Sequence, residues 1–383
     1  MKILERLFHA ETRNGRPVRF AVVGLGHFAQ TAILPAFANV VGKAKLAALV
    51  TSDEGKASKL SRKYDVPVWD YGAFPALIAS GAVDAVYIAT PNTEHRPYVE
   101  QAARGRVHVL CEKPLAYSVA DAEAMVAACR RAKVHLMTAY RLHFEAGNLA
   151  AIKAIKEGKI GDAKLFSSIH TMQVAPDNIR VDLDLGGGPL EDIGIYCLNA
   201  ARYLFRDEPT EASAHAVYGH DRRFKEVPEG VAVTLRFPKD KLATFFCGFG
   251  QTKASEYRVL GTEGLLTMDP AFTWNDDIVQ TITRNGKSKT KTFELRDQVA
   301  AEITYFSDCI RGNKKPEPSG VEGLLDVRIM EAIRRSYSTG RAVKIAPRSK
   351  GRRPHSGQSI KKGPPRKPKP VNAKAPAATS KSK

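Results

Sequence analysis

"VRFAVVGLGHFAQ", residues 18 to 30, decides the reading of the first half of the chain. An unbroken apolar run ends in glycines, as a buried strand of a parallel sheet does. Helical spacing follows at once in "HFAQTAILPAFANV". The turn between them is Gly24-Leu25-Gly26-His27-Phe28-Ala29, a G-x-G-x-x-A pattern. Gly24 permits the tight turn, Gly26 lets backbone approach a pyrophosphate, and Ala29 is small enough for close helix–strand packing. The helix N-terminus adds N–H groups and positive partial charge. The turn, with His27 and Phe28, therefore predicts a dinucleotide site.

Further strands and helices alternate outward from it. "AKLAALV" (44–50) reads as a strand and "EGKASKLSRKY" as a polar helix. "EHRPYVEQAARG" is a helix and "VHVLCEKP" a strand stopped by Pro114. Ser118, with Asp121 three residues on, approximates a capping box for the next helix. This βαβ rhythm predicts an α/β fold class, a Rossmann doubly wound parallel sheet over 18–140, with its ligand at the strand C-termini. The tip of the second strand reads Val50-Thr51-Ser52-Asp53-Glu54-Gly55-Lys56. Hydroxyls at Thr51 and Ser52 donate to a 2′-phosphate, and Lys56 meets it as a point charge, which favours NADP. If the strand runs two residues further, Asp53 becomes the ribose carboxylate of an NAD site.

Two segments carry candidate chemistry. In "CEKP" (111–114), Pro114 biases Lys113 toward an extended conformation. An ammonium there can orient a hydroxyl or shuttle a proton; a solvated strand-end lysine is the plainer alternative. In "GGGPLEDIGIYCLNAARYL" (186–204), three glycines let backbone pass close to a ligand. Pro189 and the pair Glu191-Asp192 suit a helix start. Asp192 and Tyr196, four residues apart, share one helix face. With Lys113 they form a proton-transfer group for a carbinol or carbonyl; a capping Asp192 and a core Tyr196 are the bland alternative.

From 141 to 345 the texture changes to successive strands, among them "AKLFSSIHTMQV", "GVAVTLRFPKD" and "KLATFFCGFG". "RNGK" marks a hairpin. This predicts a C-terminal α+β domain with a large, mostly antiparallel sheet. A helix near 320–338 is placed to pack back on the first domain.

The 383 residues suffice for two domains. No apolar run approaches the roughly 20 residues that span a membrane. The lead, residues 1–17, lacks the apolar core of a secretory signal. Five scattered cysteines without C-x-x-C speak against a disulfide framework or zinc site. A cytoplasmic protein without a structural metal is expected. The net charge of +19 is uneven: residues 347–383 hold 12 Lys and Arg and no acid. Residues 346–383 are thus expected to form a disordered basic tail, with weak polyanion contact as its one candidate partner.

These motifs in this order resemble the Gfo/Idh/MocA oxidoreductase family: G-x-G-x-x-A, then "TPNTEH" (90–95), then E-K-P, then a glycine-rich D-x-G-x-[HY] segment. The closing "EPSGVEGLLDVRIMEAIRRSYSTGRAVKI" also looks like the family's last helix and strand, so the resemblance runs from Val18 to Ile345. "YRLHFE" (140–145) and "VTSDEGKA" (50–57) look most like the glucose–fructose oxidoreductase branch. Tyr196, where many relatives carry His, is similar to dihydrodiol and xylose dehydrogenases as well. The resemblance implies an oxidoreductase moving a hydride between NADP, with NAD as the alternative, and a sugar or sugar-like polyol or carbonyl. It implies Lys113, Asp192 and Tyr196 around the substrate, with Tyr196 exchanging the proton, and Thr51, Ser52 and Lys56 near a 2′-phosphate. It places Thr90, Pro91, Asn92, His95, Glu112, Tyr140 and Arg141 along the cofactor or the cleft. It also implies a homo-oligomer, dimer or tetramer, joined through the open face of the second sheet. "APDNIRVDLDL" departs from the branch by lacking its tryptophan, which leaves the sugar open, and the basic tail has no counterpart. The contrasting class is a non-catalytic redox sensor with a polyanion-binding tail; intact Lys113, Asp192 and Tyr196 argue against it.

Overall fold

Six parallel strands and nine further strands form two separate sheets in the computed structural model, which describes residues 15–347 and 353–376. Most of the expected lead, 1–14, and the tail residues 348–352 and 377–383 lie outside the described residues. The first sheet contains β1 (Val18–Val23), β2 (Ala44–Val50), β3 (Val68–Trp69), β4 (Ala85–Ile88), β5 (His108–Cys111) and β6 (Leu136–Thr138). Their order is β3-β2-β1-β4-β5-β6, so the direction of winding reverses between β1 and β4 and opens a crevice at the strand C-termini. β1 is buried on both faces apart from Arg19, as its apolar run requires. The chain after β1 opens as a π turn, Ala29–Ile33, and continues into α1 (Leu34–Ala36). The remaining helices of this layer are α2 (Glu54–Tyr64), α3 (Phe74–Ala79), α4 (His95–Arg104) and α5 (Val119–Ala132). Ser118 caps α5 as expected, its hydroxyl accepting the Asp121 N–H at 3.1 Å.

The second part holds α6 (Ala146–Lys156), β7 (Ala163–Gln173), α7 (Ile195–Phe205), β8 (Glu211–Val217), β9 (Gly230–Phe237), β10 (Lys241–Gly248), β11 (Gly250–Gly261), β12 (Gly264–Met268), β13 (Ile278–Arg284) and β14 (Lys287–Phe293). α8 (Gln298–Gly312), α9 (Gly320–Thr339) and β15 (Val343–Lys344) follow. The sheet order is β14-β13-β12-β11-β7-β10-β9-β8-β15; β7 and β10 run parallel and every other pair antiparallel. The "RNGK" hairpin joins β13 to β14, with Asn285 and Gly286 both at positive φ, the geometry a two-residue turn demands. One sheet face packs Phe166, Val233 and Val259 against Leu198, Leu204 and Ile333. Burying each such side chain contributes about 1.5–3 kcal/mol. The other face leaves Ile169, Leu242 and Leu260 about 40% exposed.

α9 ties the two parts together. Val327 enters the first-domain core beside Leu115 and Leu136, while Ile329, Met330 and Ile333 enter the second core. Gly323 is needed where α9 crosses, because a Cβ there would come 2.8 Å from Leu115 Cβ. Beneath this crossing Arg202 is fully buried and pairs with Asp326, Glu322 and Glu208. Buried charges require such partners.

The tail departs from the expected disorder. Arg353 is buried and joins the Arg202 network through Glu322 at 2.8 Å and through Glu208. Gln358 donates to the Glu317 carbonyl at 3.0 Å. Gly363 accepts the Asp297 N–H at 3.0 Å. Residues 353–376, a Pro- and Lys-rich segment, need no core of their own because an existing surface offers buried acids and backbone donors.

Candidate functional site

The crevice at the β1/β4 switch opens into a cavity of about 930 Å³ that reaches from the glycine turn to the wall of the second sheet. Gly24 stands at φ +88°, and a Cβ there would lie 2.7 Å from the Ala89 carbonyl. Glycine is thus forced by the turn and by β4. Gly26 faces open space, with nothing within 4 Å of a Cβ position, and it lines the cavity with His27, Phe28 and Ala29. Across from it the Thr90 hydroxyl is buried without a hydrogen-bond partner. A cradle without side chains beside an unpaired hydroxyl fits a phosphate-bearing dinucleotide.

Lys56 also lines the cavity. Asp53 lies at the tip of β2, but its carboxylate caps α2, accepting the Lys56 N–H at 2.9 Å. Thr51 is buried and Ser52 is exposed; neither lines the cavity. His95 and Tyr140 do not line it either. His95 is fully buried, its two ring nitrogens each 3.1 Å from a carbonyl oxygen, of Leu115 and of Thr90, so it packs the "TPNTEH" loop against the turn after β5. The Tyr140 hydroxyl donates to Asp326 at 2.5 Å, inside the buried network. For His95 and Tyr140, the resemblance had placed along the cleft residues that shape it from behind.

Pro91, Asn92, Glu112, Lys113, Arg141, Asp192 and Tyr196 do line the cavity. Lys113 Nζ donates to the Asp192 carbonyl at 2.6 Å and lies 3.4 Å from Asp192 Oδ1. It also sits 4.7 Å above the Tyr196 ring. The Arg141 guanidinium lies 4.9 Å from that ring, fixed by the Phe272 and Thr273 carbonyls and Gln298. Among the described residues no protein group hydrogen-bonds the Tyr196 hydroxyl. Burial raises the Asp192 carboxyl, but Arg180, at 2.6 Å, and Lys113 together hold it well below the ordinary carboxylate range. Burial lowers the Lys113 ammonium, and Tyr196, Asp192 and Glu112 more than offset this, so it stays firmly charged. A second carboxyl lies behind Lys113. The Tyr87 hydroxyl bonds Glu112 Oε1 at 2.8 Å and Glu302 Oε2 at 3.2 Å. One hydroxyl proton serves one carboxylate, so a neutral Glu302 supplies the other bond. Burial and the Glu112 charge push Glu302 well above the ordinary range, in agreement.

The local backbone differs from the expectation in one way. Asp192 sits in a π turn, Leu190–Gly194, that precedes α7, so it and Tyr196 are not successive positions of one α-helix face; Lys113 bridges them instead. Gly186 and Gly187 line the cavity, and the glycine run also answers close packing by protein. A Cβ on Gly187 would lie 2.5 Å from the Arg180 carbonyl, and one on Gly186 2.9 Å from Asn92 Cβ. The Asn92 amide donates to the Gly186 carbonyl at 2.8 Å, so this loop locks the two domains at the cavity floor.

Sequence reading missed His170 and Arg180. His170 packs in tilted contact with Tyr196 and Phe272, with ring centroids 5.7 and 5.1 Å away. Burial lowers it to about 3, so it is neutral. The alternation of β7 could have shown His170 as half-buried. Arg180 lies in "APDNIRVDLDL", the segment that departs from the glucose–fructose oxidoreductase branch, and nothing local ties it to Asp192.

Comparison with known proteins agrees with this geometry. Residues 18–140 match the model of an oxidoreductase family with an NAD-binding Rossmann fold, GFO/IDH/MocA, and residues 148–267 match the GFO/IDH/MocA C-terminal domain. The chain is 34% identical over 350 residues to the D-xylose 1-dehydrogenase [NADP(+)] of Haloarcula marismortui, covering 89% of this chain and 96% of that protein. Its structure is similar to aldose–aldose oxidoreductase from Caulobacter crescentus complexed with glycerol, with a TM-score of 0.82 and 37% identity, over 86% of this chain and 100% of that one. A 3-ketoreductase from Actinomadura kijaniata in complex with NADP and TDP-benzene gives a TM-score of 0.77 at 26% identity, over 84% and 98%. The chain belongs to the Gfo/Idh/MocA oxidoreductase family.

Proposed function

We propose that this protein is an NADP-dependent oxidoreductase acting on an aldose, interconverting the sugar and its lactone. The observation that carries the reading is Tyr196, its hydroxyl unengaged by protein and its ring flanked by the Lys113 and Arg141 cations at the floor of the cavity. The names of the xylose dehydrogenase and aldose–aldose oxidoreductase relatives support an aldose over an aromatic dihydrodiol. Gly26, Thr90 and Lys56 would hold the dinucleotide, which supplies or accepts the hydride when bound. In the reducing direction the Tyr196 hydroxyl donates its proton to the carbonyl oxygen, and the two cations stabilise the phenolate left behind. The Asp192 carboxylate, kept anionic by Arg180 and Lys113, orients the substrate hydroxyl and the Lys113 ammonium. Glu112, bonded to Tyr87, accepts the Lys113 backbone N–H at 3.2 Å and fixes the loop beneath.

We read the open face of the second sheet, with Ile169, Leu242 and Leu260, as the surface that joins copies of the chain. Five buried cysteines that form no disulfide among the described residues support a cytoplasmic protein. Exposed Lys361, Arg366, Lys367 and Lys369 are the surface for any weak polyanion contact. The deciding experiment gives the purified chain NADP+ or NAD+ with a panel of aldoses, polyols and dihydrodiols and follows NADPH or NADH absorbance. Turnover with an aldose and NADP+ is expected, and Tyr196→Phe should lower kcat by about 10²–10⁴-fold while nucleotide binding persists. A mutant with unchanged kcat would remove Tyr196 from the reaction.

A further inference from the structure

The outer wall of the cavity is made by the chain's own C-terminal segment. Gln30, 2% exposed beside the glycine turn, donates to the Leu25 carbonyl at 2.9 Å and to the Val371 carbonyl at 2.8 Å, and accepts the Val371 N–H at 2.7 Å. Its carboxamide thus pairs with a peptide unit as a neighbouring strand would. One residue on, Asn372 donates to Asp53 at 3.2 Å at the tip of β2. A Cβ on Gly55 would stand 2.6 Å from the Asn372 amide, so the segment lies directly on the start of α2. It then leaves the first domain. Pro376 accepts the Ala175 N–H at 3.0 Å, and Lys374 pairs with Asp177, both in the loop that follows β7. Between these anchorages Asn372, Ala373, Lys374 and Pro376 line the cavity together with Gly26, Lys56 and Arg180.

Three features make this a built element. Gln30 is buried, and without Val371 its oxygen and one of its N–H groups would lose their partner. The segment bonds both domains, so it crosses the mouth between them. With it in place the cavity still measures about 930 Å³, toward the upper end for ligand sites, so it bounds the space without filling it. A dinucleotide lying from Gly26 toward Lys56 would have its adenosine end beneath Val371 and Asn372.

We propose that residues 371–376 are part of the dinucleotide site, a strap over the adenosine end of NADP(H) that must lift before the nucleotide leaves. The inference rests on the NADP reading above. The strap is neutral at its Gln30 anchorage and holds there by hydrogen-bond geometry, so that anchorage should depend little on salt, unlike the exposed Lys374–Asp177 pair.

The test is the rate of NADPH release, followed by stopped-flow fluorescence with excess NADP+ as chase. It compares the full chain with a chain ending at Pro370. The shortened chain keeps the Arg353, Gln358 and Gly363 anchorages. A second variant, Val371→Pro in the full chain, removes the N–H that Gln30 accepts, together with the valine side chain, and leaves residues 372–376 in place; it decides the matter if the shortened chain melts early. Release should quicken at least about tenfold in both, as loss of one or two hydrogen bonds implies, with the NADPH dissociation constant rising in proportion. Equal release rates, within about twofold, would overturn the strap while leaving the cofactor reading intact. Failure of the full chain to bind NADPH would overturn the cofactor reading, and the strap with it.

Discussion

Replacing Lys113 with methionine tests how the site lowers the barrier to proton exchange. The ammonium stands 4.7 Å from the Tyr196 ring centroid, and methionine keeps the stem volume without the charge. At an effective dielectric of about 20, a unit positive charge roughly 5 Å from a phenolate is worth about 3.5 kcal/mol. Tyr196 is only half-buried, and Arg141 still faces the ring at 4.9 Å, so water and the remaining cation take up part of the loss. A net cost of about 2–3 kcal/mol remains, or roughly 30- to 150-fold in kcat. Asp192 stays ionised in the variant, because Arg180 still pairs with it at 2.6 Å. The loss should therefore fall on kcat, with the aldose KM moving by less than about threefold. The assay is initial velocity with NADP+ and the best aldose at saturating nucleotide, repeated with Lys113→Arg, which keeps a cation and should recover part of the rate. A fall confined to KM, or a Lys113→Arg variant as slow as Lys113→Met, would refute electrostatic support of Tyr196 by Lys113.

Two further changes probe the periphery of the site. Lys56→Ala should weaken NADP+ binding by about tenfold or more and NAD+ by much less, on the proposal that its ammonium, 3.5 Å from Asp53 here, serves the 2′-phosphate; calorimetric titration with both nucleotides checks this, and equal losses would move the 2′-phosphate elsewhere. Glu302→Gln should raise stability at neutral pH, since glutamine needs no proton taken up on folding, and make stability less sensitive to alkali. Burial raises the Glu302 carboxyl in the folded chain, so the folded state binds more protons than the unfolded one above the ordinary glutamate range, and wild-type stability declines as pH rises there. Urea unfolding between neutral and mildly alkaline pH would show a flatter profile for the variant, and an unaltered slope would mean that Glu302 is ionised in the native protein.

What sequence could disclose followed from how local each signal was. The span Glu54–Tyr64 was readable because a polar helical run directly follows an apolar strand, whereas the capping role of Asp53 was not read. The same holds for the Asn285-Gly286 hairpin, where two positive-φ residues announce the turn. The glycine turn, Lys113 and Tyr196 could each be named, but their meeting required two domains to close on one another, and spacing along the chain carries no record of that. His95 shows the converse error. A histidine in a motif near the cleft invites a ligand role, yet both its ring nitrogens are taken by the Leu115 and Thr90 carbonyls. Arg353 shows why the tail misled. Composition measures whether a segment can build its own core, and this one cannot. It is held by a deficit elsewhere: two buried acids, Glu322 and Asp326, and the half-buried Glu208 surround Arg202, and a second guanidinium supplied from 27 residues beyond Asp326 lessens that imbalance. Gln30 makes the same demand at the other end of the strap, with a buried carboxamide that only a passing peptide unit completes. Order in the basic tail is thus written in the body of the protein, in acids and an amide that look over-polar for their positions until the tail is laid against them.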